Sequence, residues 1–141
     1  MKILVAIDGS PQALAALETL AGKFDFFRDP PTLLLLNVQL PVAPKAATAW
    51  VGKEVVESYY HEEGEAALAD AVAFLNARGV PFRAERRIGD PADEIAKLAS
   101  AEHCDLIAMG THGHGALATL VLGSVANKVL ALSEVPVLLM K

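Results

Sequence analysis

The sequence has little cysteine and no long apolar run. Cys104 is the single cysteine among 141 residues, so the chain can form neither an internal disulfide nor a cysteine-based zinc site. No apolar stretch approaches the roughly 18 residues of a membrane-spanning helix, and the first residues lack the cleavage-site chemistry of a signal peptide. These absences predict a protein of a reducing compartment, which we expect to be cytoplasmic and to have no membrane partner.

Basic residues are also few. Lys and Arg number 12 against 17 Asp and Glu, a formal net charge of −5, whereas binding to nucleic acid needs a basic face. We therefore expect no nucleic-acid partner, and a small anion would have to be held by backbone N–H groups and helix dipoles. Hydrophobic residues make up 53% of the chain, which is enough to bury a full core in one domain spanning 1–141.

Apolar runs of strand length recur along the chain. Buried strands are predicted at residues 3–7, 33–38, 106–109 and 135–140, and a weaker strand, nearer a sheet edge, at 81–88. Helical spacing of apolar residues lies between them, first from Ala13 to Phe24 and last from about Ser124 to Leu132, with Val125, Val129 and Leu132 turned inward. Strands and helices therefore alternate along the whole sequence.

This alternation predicts an α/β fold, an open doubly wound (Rossmann-like) five-stranded parallel sheet with helices on both faces. Ser10-Pro11 and Asp90-Pro91 support it, because each pairs an N-cap residue with a proline at the first helical position. Ligands of such sheets bind beyond the carboxyl ends of the strands, where the winding reverses. The positions to inspect are Asp8, Val38, Gly89 and the segment after Gly110.

That last segment, residues 109–124, is rich in glycine and lies between a predicted strand and a predicted helix. Its glycines suit sharp turns and close approach to a ligand, and Gly123-Ser124 forms a helix start whose free N–H groups suit a phosphate. The segment contains neither Lys nor Arg, and the next cation is Lys128. Phosphate binding here would rest on amides, on the Ser124 hydroxyl and on a metal ion.

Other nucleotide motifs fit less well. Gly113-x-Gly115-x-x-Ala118 satisfies a dinucleotide-binding fingerprint, but that motif belongs after an early strand and only one strand follows here. The chain has no P-loop string. A phospho-acceptor receiver domain would need clustered acids, whereas Asp8 stands alone at the first strand end.

Several of these residues also have simpler interpretations. His112 and His114 form a His-x-His pair that could hold a metal, but no Cys or nearby carboxylate completes the ligand set, so contact with nucleotide or solvent is the better hypothesis. Asp8 is either a ligand contact or a turn former, and Ser124 either a phosphate ligand or a helix N-cap. The loop at residues 40–53 is either a lid or a surface excursion.

Gly110-x2-Gly113-x9-Gly123-Ser124 resembles the ATP-binding pattern of the universal stress protein family, G-x2-G-x9-G-[S/T]. The Asp8-Gly9-Ser10 and Asn37-Val38 strand ends resemble that family as well, so the resemblance covers the chain as a single universal stress protein domain. It implies that the family's ATP site is made here by Ala6, Ile7, Asp8, Val38, Met109, Gly110, His112, Gly113, His114, Gly123, Ser124 and Val125.

The resemblance implies an ATP-binding regulator that responds to stress, uses Mg²⁺ or Mn²⁺ with the nucleotide, and forms a homodimer through its C-terminal strand. Slow or absent hydrolysis is expected, because the loop offers phosphate donors but no cation for the transferred phosphoryl group. The alternatives are a slow ATPase or another adenine-nucleotide hydrolase, and a module that binds an unknown protein partner with its loop empty.

Overall fold

The computed structural model describes residues 1–42, 50–113 and 122–141. These residues form five strands, which are β1 (Lys2–Ala6), β2 (Thr32–Gln39), β3 (Phe82–Ile88), β4 (Leu106–Gly110) and β5 (Val137–Met140). The helices are α1 (Pro11–Ala21), a short 3-10 helix (Phe24–Phe26), α2 (Lys53–Ala77), α3 (Pro91–Ala101) and α4 (Ser124–Leu132). The predicted alternation of strands and helices is confirmed.

The strands form one parallel sheet in the order β3-β2-β1-β4-β5. The chain winds outward from β1 through β2 to β3, then crosses back to place β4 on the other side of β1. The direction of winding therefore reverses between β1 and β4, and this switch point is where a doubly wound sheet opens a crevice for ligands. β3 lies at one edge, as the sequence predicted, and β5 lies at the other.

Two hydrophobic clusters cover the two faces of the sheet, as its continuous apolar strands require. One face packs on α1 and α2 through residues such as Val5, Leu17 and Leu75. The other packs on α3 and α4 through residues such as Leu36 and Leu98. The helices on both faces confirm the doubly wound architecture.

Side-chain caps start two of the helices as the sequence predicted. The Ser10 hydroxyl accepts a hydrogen bond from the Ala13 N–H at 3.1 Å. The Asp90 carboxylate accepts bonds from the N–H groups of Ala92 and Asp93. Both caps fix the direction in which the chain leaves a strand end.

Three local predictions were wrong. Leu132 is 45% exposed at the end of α4, and the buried residues of that helix are Ala126, in its first turn, and Val129. Phe24 lies in the 3-10 helix and not in α1, because α1 ends at Ala21 and is capped by the Gly22 N–H. Strand β5 starts at Val137, later than the predicted residue 135, because the Val135 N–H and C=O both bond to the Ser133 hydroxyl.

Candidate functional site

A cleft with a volume of about 840 Å³ opens at the switch point, beyond the carboxyl ends of β1, β2 and β4. Its size is that of ordinary small-molecule sites. Eleven of the twelve residues proposed for the site line it together, which are Ala6, Ile7, Asp8, Val38, Met109, Gly110, His112, Gly113, Gly123, Ser124 and Val125. His114 lies outside the described residues. Gly89 is not among the lining residues, although its neighbour Pro91 is.

Asp8 follows β1 and performs the turn-forming role considered for it. Its Oδ1 accepts a hydrogen bond from the Ser10 N–H at 2.9 Å, which turns the chain from β1 into α1. Its other carboxylate oxygen faces Gly113 across the cleft, so closely that a Cβ atom at Gly113 would overlap it. Asp8 therefore shapes the turn and also lines the cleft.

The motif glycines are required by contacts within the chain. A Cβ atom at Gly123 would lie 2.9 Å from the Thr111 carbonyl oxygen, and one at Gly110 would lie 3.1 Å from that of His112. The 2.9 Å contact cannot form without a shift of the backbone, and the 3.1 Å contact requires the His112 carbonyl to give way by a few tenths of an ångström. Replacing these glycines would disturb the loop with or without a ligand, so such variants cannot by themselves distinguish a nucleotide site from an empty one.

The start of α4 differs from the sequence interpretation in one respect. Gly123 is the N-cap, and its N–H donates to the Thr111 carbonyl at 2.8 Å, so that amide is already used. Ser124 is the first helical residue and no side chain caps this helix, so the N-cap role considered for Ser124 is wrong. The N–H groups that the helix leaves free are those of Ser124, Val125 and Ala126, and all three residues line the cleft.

The backbone of β2 continues past the end of β1. The last step of the β1–β2 ladder is the bond from the Ile7 N–H to the Leu36 carbonyl at 2.8 Å. The Gln39 carbonyl faces β3, where it accepts from the Gly89 N–H. Because successive residues of a parallel strand direct their backbone groups to opposite neighbours, the N–H and C=O of Val38 face the β1 side. The chain has left β1 by then, turning at Gly9 with a φ of 82°. Val38 thus presents a neighbouring donor and acceptor to the cleft.

The charge of the cleft is set by carboxylates. Asp8 and Glu63 line it, and among the described lining residues there is neither Lys nor Arg. Lys128 is held away on α4 by Asp90, with 2.9 Å between Nζ and Oδ2, and the hydrogen bond between them raises the pKa of Lys128 and lowers that of Asp90. An anion in the cleft would be held by backbone donors and not by a positive field.

The metal interpretation of the two histidines gains no support from the residues seen. The imidazole Nδ1 of His112 lies 3.0 Å from the Thr111 hydroxyl. Within residues 1–42, 50–113 and 122–141, no group of three or more His, Cys, Asp or Glu side chains converges as a metal site. No helix in those ranges is long and apolar enough to cross a membrane.

Sequence reasoning missed several residues of the cleft, which are Asn37, Gln39, Tyr59, Glu63 and Thr111. The alternation of Asn37 and Gln39 around Val38 at a strand end was a usable signal, because polar residues are rare in a buried strand. Tyr59 and Glu63 gave none, since only the packing of α2 on the sheet decides which face of that helix borders the cleft.

The sheet order, the reversal between β1 and β4 and the glycine-lined cleft at that point define a doubly wound, Rossmann-like α/β protein with a ligand cleft at its switch point. Comparison with known sequences narrows this class. The model of the universal stress protein family matches residues 1–141, and the chain belongs to that family.

Relatives of similar length support this assignment. The chain is 33% identical to the universal stress protein MJ0531 of Methanocaldococcus jannaschii, over 99% of this chain and 81% of that protein. It is 34% identical to a universal stress protein of Thermus aquaticus, over 99% of this chain and 97% of the relative.

Solved structures share the fold. The structure of the protein MJ0577 superposes with a TM-score of 0.83 at 28% identity, covering 99% of this chain and 94% of that one. An Arabidopsis thaliana universal stress protein family protein, solved with AMP bound, superposes with a TM-score of 0.68 at 21% identity, covering 100% and 91% of the two chains.

Proposed function

We propose that this chain binds ATP in the switch-point cleft and acts as a nucleotide-responsive regulator with slow or no hydrolysis. The observation that carries the proposal is that two kinds of backbone group, neither bonded to another backbone group among the described residues, face one cleft. The donor and acceptor of Val38 lie on one side, and the free N–H groups at the start of α4 lie on the other. The AMP-bound relative shares only the fold, so it guides the choice of ligands to test.

The Val38 backbone suits adenine in particular. Adenine carries an acceptor, N1, beside the donor N6 amine, which complements an N–H donor beside a C=O acceptor. Guanine carries a donor at N1 and an acceptor at O6, so the same edge would meet Val38 with both partners reversed. The proposal therefore includes discrimination against guanine nucleotides, because a reversed pair leaves desolvated groups without partners.

The helix start suits the phosphates. The N–H groups of Ser124, Val125 and Ala126 lie at the positive end of the α4 dipole, and the Ser124 hydroxyl is beside them. The proposed Mg²⁺ or Mn²⁺ would take most of its ligands from phosphate oxygens and water, which is how Mg²⁺ is commonly held in nucleotide sites.

Regulation is favoured over turnover by the charge of the cleft. Efficient phosphoryl transfer uses a cation on the transferred group, and Lys128, the first cation after the loop, is paired with Asp90 and Asp93. A slow ATPase is the second candidate, because Asp8 and Glu63 line the same cleft and could orient a water or a metal ion.

The regulator is proposed to be a homodimer through β5. That strand is at the sheet edge, where no described strand pairs with its outer backbone groups and a partner strand could. Leu138 on β5 and Leu130 on α4 are 38% and 47% exposed. Light scattering at micromolar concentration should give the mass of two chains for the natural protein, and Leu138→Lys should reduce it. A monomer for the natural protein would refute this part.

The test of ATP binding uses the two ends of α4. Ser124→Ala should weaken ATP binding about three- to tenfold, the effect of one hydrogen bond, and leave adenosine binding unchanged. Ser133→Ala is the matched control, because Ser133 ends the same helix and, among the contacts described, its hydroxyl bonds only to Val135. Equal ATP affinity in both variants would exclude the Ser124 hydroxyl as a phosphate ligand. Phosphate release near about 1 per second with Mg²⁺ would favour the ATPase instead.

A further inference from the structure

The side chain of Asn37 occupies a key position at the end of the β1–β2 ladder. It is 3% exposed, and its Nδ2 donates to the Ile7 carbonyl at 2.9 Å. The orientation of this amide is fixed, since a carbonyl can only accept and the nitrogen must therefore face Ile7. Asn37 thus uses the carbonyl of the residue that directly follows β1.

That carbonyl is the one that the ladder itself would use next. The ladder runs through bonds from the Thr32 N–H to the Met1 carbonyl and from the Ile7 N–H to the Leu36 carbonyl. The following step in a parallel ladder is from the Val38 N–H to the Ile7 carbonyl. Within the described residues this backbone bond is not formed, and the Asn37 side chain takes its place.

A second set of bonds holds the amide in that orientation. Asn37 Oδ1 accepts from Gln39 Nε2 at 3.3 Å, and the same nitrogen donates to the Tyr60 carbonyl of α2 at 2.8 Å. The Tyr60 hydroxyl accepts from the Val42 N–H at 2.6 Å. Asn37 is therefore satisfied at both ends and anchored to α2, so it competes effectively for the Ile7 carbonyl.

We propose that Asn37 is a positioning residue that ends the ladder early and keeps the Val38 N–H free to recognise the nucleotide base. The inference rests on the proposed function for its ligand, but its structural half concerns the free protein alone. In a variant without the Asn37 amide, the Val38 N–H pairs with the Ile7 carbonyl and the base loses its donor.

Two variants separate the bonds involved. Asn37→Leu removes both hydrogen bonds of the amide and puts a side chain of similar size in its place. Asn37→Asp keeps an acceptor for Gln39 but has no donor for Ile7. Leu75→Ala is the control for general destabilisation. Leu75 is fully buried in the last turns of α2, and its carbonyl accepts from the Val80 N–H. Val80 lies just before β3 begins, at the opposite end of the sheet from the cleft.

The first readout is amide hydrogen exchange of Val38 in the nucleotide-free protein. Exchange should slow at least about tenfold in both Asn37 variants and not in Leu75→Ala, since a newly bonded amide is protected. Unchanged or faster exchange at Val38 in both variants would overturn the proposal. This readout remains decisive even if the natural protein binds no adenine nucleotide, an outcome that would refute only the proposed function.

The second readout is the ratio of ATP to GTP affinity. One base-edge pair discriminates by about tenfold or more, so both Asn37 variants should lose about that factor of preference for ATP. Tripolyphosphate affinity should stay constant, because it reports on the α4 end alone. A preference for ATP retained in both variants, with only thermal stability reduced, would mean that Asn37 is structural and would refute its positioning role.

Discussion

Replacing Gly64 of α2 by alanine tests how rigidly α2 is held against β2. Glycine inside a helix costs about 1 kcal/mol relative to alanine, so helix propensity alone predicts that Gly64→Ala stabilises the protein by that amount. The structure predicts the opposite sign. A Cβ atom at Gly64 would lie 2.7 Å from Gln39 Nε2 and 2.7 Å from Arg86 Cδ. Arg86 is bonded to Glu65 and His61, but its side chain is partly exposed and can swing toward solvent. Gln39 is held at the cleft by its bonds to Asn37 and Tyr60.

The size of the effect follows from those bonds. Displacing Gln39 breaks two hydrogen bonds worth about 1 kcal/mol each, and the remaining overpacking adds up to about 1 kcal/mol. After the gain in propensity, Gly64→Ala should destabilise the fold by about 1–2 kcal/mol, or lower Tm by roughly 3–8 °C in a chain of this length. In a Gln39→Ala background the methyl group has room, so the same change should stabilise by up to about 1 kcal/mol.

Urea unfolding at fixed protein concentration measures all four proteins of this double-mutant cycle. The expected coupling between the two positions is about 2–3 kcal/mol. The reasoning fails if Gly64→Ala stabilises the natural protein, or if its effect is equal in the presence and absence of Gln39.

Two further variants test a helix cap and an ion-pair cluster. Ser10→Ala should lower the free energy of unfolding by about 1 kcal/mol in urea, because the Ala13 N–H loses its cap; a change below about 0.3 kcal/mol would contradict this. Glu102 accepts from Arg83 at 2.7 Å and Lys2 at 3.0 Å, bonds that lower its pKa from 4.5 to about 2. A carboxylate whose pKa is lower in the folded than in the unfolded chain stabilises the fold at pH values above its unfolded pKa. Glu102→Gln should therefore reduce stability at pH 7, and the difference in stability between the variant and the natural protein should shrink as the pH falls from about 4.5 toward 2. A difference that is constant with pH would show that the charge is irrelevant.

Most of the fold could be predicted because its signals are local. Strand runs such as residues 33–38 are buried on both faces and need no partner to be recognised, and the Ser10-Pro11 and Asp90-Pro91 caps act within a few residues. Leu132 shows the limit of such local signals. Its helical spacing pointed inward, but the helix ends there and tertiary packing leaves it exposed.

The residues that line the cleft could be predicted from the sequence, but the hydrogen bonds among them could not. The lining residues could be predicted from the strand ends and the glycines, because each of these is recognised at its own position in the sequence once the sheet architecture is known. The use of the Gly123 N–H by Thr111 and of the Ile7 carbonyl by Asn37 depends on where separate segments meet. Such pairings across many residues leave no periodic signal, and they decide which backbone groups stay free for a ligand.

Calorimetric titration of the full chain with ATP and with GTP, each with Mg²⁺, tests the central claim most directly. An adenine nucleotide held by the backbone of Val38 and the start of α4 should bind at least about tenfold more tightly than its guanine counterpart. Equal affinities, or no heat of binding from ATP with protein first stripped of any retained nucleotide, would contradict the account.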